Sequence, residues 1–108
     1  MSLFGEYIKE RLNKDIVEDE KGFATYYFVK DGIYLEDMYV LPAHRKTSCS
    51  NYLADKVASI GKEKGFDKMF TTVIPSTNNA TVSLKACLSY GFKLHSCEQN
   101  LIILVKGI

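Results

Sequence analysis

Asp37-Met38-Tyr39-Val40-Leu41-Pro42-Ala43-His44-Arg45-Lys46-Thr47-Ser48-Cys49-Ser50-Asn51-Tyr52-Leu53 reads as the end of a strand, a stop, a basic hydroxyl-rich loop and the first turn of a helix. Pro42 has no amide hydrogen, so it cannot extend a strand ladder. Ser48 or Ser50 can cap the helix that follows. Such a loop gathers backbone N–H groups, the positive end of a helix dipole and cationic side chains in one small volume, which suits a phosphate. The plainer reading of the same residues is a solvated His44-Arg45-Lys46 run followed by a capping serine.

Upstream, Leu3, Phe4, Tyr7, Ile8 and Leu12 recur at helical spacing and predict a short amphipathic helix. Ile16-Val17 and Phe23 to Val29 are β-branched or aromatic runs separated by acidic residues and Gly22, the pattern of an antiparallel hairpin. Asp31-Gly32 is a turn signal leading into a strand from Ile33 to Leu41. Downstream, Ser50 to Lys64 is helical, with Leu53, Val57, Ile60 and Gly61 on one face and Gly65 beyond its end. Lys68 to Ile74 is the next strand, closed by Pro75. Asn78 or Asn79 can cap a second helix with an Ala80, Leu84, Cys87 and Leu88 stripe, ended by Gly91. A last pair of strands runs from Phe92 to Ser96 and from Leu101 to Val105.

The order is α-β-β-β-α-β-α-β-β. It implies an α+β fold: a single mixed, largely antiparallel sheet with one parallel strand–helix–strand unit and flanking helices. At 108 residues the chain suits a single domain spanning 1–108, and 46% apolar with 25% charged residues suits a globular one. A net charge of +1 carries no basic excess for a nucleic-acid partner. Cys49, Cys87 and Cys97 are odd in number and lack metal-ligand spacing, so reduced thiols in a cytoplasmic protein, with no metal, are expected. The longest pure apolar run, Leu101 to Val105, is far short of a membrane span, so no membrane partner is expected.

Two segments together, Tyr34-Leu35-Glu36-Asp37 running into Met38-Tyr39-Val40-Leu41-Pro42, and Asn78-Asn79 with Tyr90-Gly91-Phe92, resemble those of the GNAT superfamily of N-acetyltransferases, in the branch of polyamine and thialysine acetyltransferases. The resemblance spans roughly Ile33 to Leu94. In that family the loop reads Arg/Gln-x-x-Gly-x-Gly/Ala, and its amides bind the coenzyme A pyrophosphate. Arg45 fits the first position, while Ser48 and Ser50 stand where the glycines belong. The resemblance implies acetyl-CoA as acyl donor, held by Met38, Tyr39, Val40 and Leu41 of the strand, by Arg45, Lys46, Thr47, Ser48, Cys49, Ser50 and Asn51 of the loop, and by Asn79.

It also implies a primary amine as acceptor, deprotonated by Glu36, since an ammonium cannot attack a thioester. Apolar neighbours such as Tyr34 and Met38 would raise the pKa of that carboxylate. A structural ion pair is the alternative role for Glu36. The position of the family's thiol-protonating tyrosine is occupied by Cys87, which is a candidate proton donor or a plain core cysteine on the apolar stripe. Residues 1 to 32 have room for one helix and a hairpin where the family has a strand and two helices. The acceptor side is therefore expected to be open, or completed by a homodimer, and to suit a bulky acceptor such as a protein amine. The missing glycines and tyrosine support an alternative function as a non-catalytic coenzyme-binding or regulatory module.

Overall fold

The computed structural model describes residues 2–45 and 49–108. Along the chain come α1 (Leu3–Leu12), β1 (Asp15–Glu18), β2 (Gly22–Val29), β3 (Gly32–Val40), a 3-10 turn (Pro42–His44), α2 (Cys49–Glu63), β4 (Lys68–Val73), α3 (Ala80–Tyr90), β5 (Lys93–Glu98) and β6 (Leu101–Gly107). The expected order of elements is the observed one. The six strands form one sheet in the order β1-β2-β3-β4-β6-β5. Every neighbouring pair is antiparallel except β3–β4, which is joined in parallel through α2.

The core lies between the sheet and α2. Leu53, Ala54 and Val57 cluster with Ala24, Ile33, Leu35, Met69 and Leu104. Gly61 brings α2 close to β3: a Cβ there would sit 2.7 Å from the Ile33 side chain. α3 lies on the same face, where the Tyr90 hydroxyl donates to Asp55 of α2 at 2.5 Å. Its Ala80, Leu84 and Cys87 pack against the core while Leu88 stays exposed, so its expected stripe is only partly used. On the opposite face α1 meets β2, with the Phe4 and Phe23 rings 5.5 Å apart.

Several local expectations differ. The α1 stripe is mostly outside: Ile8 is buried, but Leu3, Phe4, Tyr7 and Leu12 are exposed. The β2–β3 turn is Lys30-Asp31, and Gly32 already pairs with Val29. Gly32 is required for a different reason, because a Cβ would stand 2.4 Å from the Lys68 carbonyl of β4. Among the described residues α2 already includes Cys49, one residue before the expected Ser50. Asn79 occupies the N-cap of α3 in a left-handed conformation (φ 66°) but makes no side-chain capping bond. Gly65 (φ 91°) and Gly91 (φ 119°) end α2 and α3 as expected.

Candidate active site at the divergence of β3 and β4

Strands β3 and β4 pair at Ile33–Met69 and Tyr34–Phe70, and the pairing then stops. The next carbonyl, that of Leu35, is satisfied by the buried Thr71 hydroxyl at 2.8 Å instead of a backbone amide. On the other face the Tyr34 and Thr72 hydroxyls meet at 2.5 Å across the opening. A parallel ladder is thus replaced by side-chain bonds where the strands part.

A bulge shapes the β3 side. Thr25 pairs with Asp37 and Tyr26 with Leu35, which leaves Glu36 as an extra residue. The inserted residue shifts the alternation, so Leu35, Met38 and Val40 all serve the core. Glu36 and Asp37 are delivered to the opposite face, into a groove of about 570 Å³. The buried Thr25 hydroxyl holds the kink by accepting from the Asp37 amide at 3.1 Å.

The same register orients the backbone. The Leu41 amide donates to Lys21 at 2.8 Å, so Leu41 bonds towards β2 and Val40 and Met38 turn their polar groups the other way, into the opening. Consistently, the Val40 carbonyl accepts from Arg45 Nε at 2.9 Å rather than from β2. The Arg45 guanidinium also lies 5.4 Å from the Tyr39 ring centroid.

The groove is walled by Lys14, Tyr34, Glu36 and Asp37 on one side and by Thr72, Val73, Ile74, Ser83 and Leu101 on the other. Its rim is braced where Asn100, at the β5–β6 turn, accepts from the Ser76 amide and donates to the Ser76 hydroxyl, at 3.1 and 2.6 Å. Lys14 Nζ bonds both Glu36 oxygens, at 2.6 and 2.8 Å, with both side chains about a quarter exposed (24% and 26%). The bond to Glu36 holds the Lys14 pKa above its usual value, against the effect of burial. Asp37 is raised by partial burial and by its Glu36 neighbour, with Lys14 opposing. Burial also raises Tyr34, although its bond to Thr72 acts the other way. The groove therefore holds a paired carboxylate, a second carboxyl with an elevated proton affinity and a phenol that keeps its proton.

Among the residues expected from sequence, Glu36 lines this groove, and it is ion-paired. Met38, Tyr39, Val40 and Leu41 lie along the diverging β3 edge and its exit. Arg45 is tied back to that edge. Lys46, Thr47 and Ser48 lie outside the described residues. Cys49, Ser50 and Asn51 form the first turn of α2, with Cys49 packed against the core. Asn79 is exposed at the start of α3. Cys87 is away from the groove lining and packs on the core, where burial raises its thiol pKa. The α3 residue in the groove is Ser83, one turn earlier. Lys14, Tyr34, Thr72 and Ser83 were not found from the sequence. Tyr34 alone carried a signal, two positions before Glu36 on the same strand.

No curated protein sequence matches the chain. Residues 16–90 match the model of the acetyltransferase (GNAT) family, and the chain belongs to that family. Solved structures share its fold at low identity. A GNAT-family protein from Desulfovibrio desulfuricans superposes with a TM-score of 0.80 at 16% identity, over 94% of this chain and 76% of that one. An N-acetyltransferase from Thermoplasma acidophilum in complex with coenzyme A gives 0.76 at 19% identity, over 98% and 69%. A GNAT-family acetyltransferase from Elizabethkingia anophelis with acetyl-CoA bound gives 0.73 at 16%, over 95% and 82%.

Proposed function

We propose that residues 1–108 act as one acetyl-CoA-dependent N-acetyltransferase domain whose acceptor is a primary amine. The observation that carries this reading is the opening of β3 from β4 directly onto a groove holding Glu36, Asp37 and the Tyr34 hydroxyl. The backbone groups of Met38 and the amide of Val40 that turn into the opening suit the amide-bearing pantetheine arm of the donor, which supplies an activated acetyl thioester. The first turn of α2, from Cys49 to Asn51, offers backbone amides and dipole charge for its pyrophosphate.

On this reading the two carboxyls attract a cationic acceptor and take its proton. Asp37 is the better suited to relay that proton, because its affinity is already elevated and Glu36 is engaged by Lys14. Tyr34, protonated and within the groove, is suited to return a proton to the leaving thiolate, a role for which Cys87 was one candidate from the sequence. Transferring protons through positioned groups contributes about 10²–10⁴-fold.

Thiol release from acetyl-CoA, measured over a panel of small primary amines and basic peptides, tests the proposal. Release with at least one amine is expected, with kcat lowered by about 10²–10⁴-fold in Asp37→Asn and in Tyr34→Phe. Release unchanged in both variants would retire these roles. Donor binding without release on any amine would favour a non-catalytic module, a reading that the occupied state of Glu36 supports.

A further inference from the structure

We propose that Lys14 is itself an acceptor, so that the protein acetylates its own Lys14 Nζ; this rests on the transferase reading above. Lys14 is the groove's own primary amine. Its Nζ hydrogen-bonds both oxygens of Glu36 and lines the same groove as Tyr34 and Thr72, which bridge the mouth of the strand divergence. An incoming amine attracted to these carboxylates would compete for the place that Lys14 occupies.

The backbone fixes this arrangement. Asn13 closes α1 in a left-handed conformation (φ 54°), and the Asn13 and Lys14 amides donate to the Lys9 and Ile8 carbonyls, both at 3.2 Å. Lys14 is thereby launched from a capped helix end towards β3, and its ammonium passes 5.8 Å from the Tyr27 ring centroid. Among the described lysines it is the one that lines the groove. Lys9, a turn away, pairs with Asp15 outside it.

The step balances with acetyl-CoA as its one co-reactant. The Glu36 bond keeps Lys14 mostly an ammonium, so the reacting species is its deprotonated fraction, whose proton has passed to solvent by way of the Glu36–Asp37 carboxyls. The free amine then forms the new N–C bond to the acetyl carbon as the C–S bond breaks. A second proton from nitrogen ends on the departing thiolate, leaving an amide N–H, free coenzyme A thiol and one proton in solution. The product is neutral, so it releases Glu36 from its ion pair.

The test uses the full chain incubated with acetyl-CoA and no added amine, followed by intact-mass and peptide-fragment measurement, with a urea-unfolded sample as the chemical background. One acetyl group per chain is expected, mapped to Lys14, at a rate per chain that does not change on dilution. It should disappear in Lys14→Arg. Acetyl-CoA turnover on external amines with Lys14 unmodified would overturn this inference and leave the transferase reading standing. Acetylation spread over exposed lysines as in the unfolded sample would overturn it too. Failure to bind acetyl-CoA at all would overturn both.

Discussion

Replacing Thr71 with valine tests the account of why the strands part. The Thr71 hydroxyl is the partner of the Leu35 carbonyl at 2.8 Å, at the first position beyond the β3–β4 ladder, and the residue is 6% exposed. Valine keeps the shape but removes the donor. Leaving a buried carbonyl unsatisfied costs about 1–3 kcal/mol, and the added methyl returns at most about 0.8 kcal/mol. The middle of that range leaves a net loss of about 1.2 kcal/mol, and a domain of this size loses roughly 4–8 °C per kcal/mol, so the melting midpoint should fall by about 5–10 °C. Thr77→Val is the matched comparison: its hydroxyl donates to the Ile74 carbonyl at 2.7 Å, but both residues are exposed and water can replace the bond. That variant should stay within about 0.5 kcal/mol of the parent. Both are read by thermal melting followed by circular dichroism. Equal midpoints for Thr71→Val and Thr77→Val would refute the claim that a side-chain bond terminates the ladder.

Gly32→Ala places a Cβ 2.4 Å from the Lys68 carbonyl, so backbone must move, whereas the Cβ of Gly107→Ala meets nothing within 4 Å. The first should lose about 1–3 kcal/mol in urea unfolding and the second almost nothing. Stability should also fall as pH rises above about 10. Lys14 is raised mainly by its Glu36 bond, and Tyr26, Tyr34 and Tyr90 mainly by burial, with Tyr90 pushed up further by Asp55. Each keeps its proton in the folded chain at pH values where the unfolded chain has lost it. The folded state then binds more protons, and the slope of stability with pH is negative. Urea midpoints across the alkaline range check this, and a flat profile would count against these environments. Tyr90→Phe removes the α3–α2 bond to Asp55 and should flatten the alkaline fall while lowering stability by about 0.5–1.5 kcal/mol at neutral pH.

The elements were legible because their signals are local. Proline and glycine punctuate β3, α2, β4 and α3, and the helical stripe of α2 is the one that builds the core. α1 was legible as a helix but not as a surface element, since the spacing of Leu3, Phe4, Tyr7 and Leu12 says nothing about whether a partner covers them. The groove was half legible. Glu36 could be singled out on its strand, but the bulge that turns Glu36 and Asp37 to one face depends on a pairing with Thr25, twelve residues upstream. Lys14 and Thr72 reach the groove from other elements, and no periodicity in either segment records that. Cys87 was aligned by counting along one helix, whereas the groove meets that helix at Ser83.

The account rests on acetyl-CoA entering the β3–β4 opening, and melting the chain with and without it is the most direct measurement. At a hundredfold excess over its dissociation constant a ligand adds about 2.7 kcal/mol. For a domain of this size the midpoint should then rise by roughly 10–20 °C. An unchanged midpoint at millimolar acetyl-CoA would contradict the account.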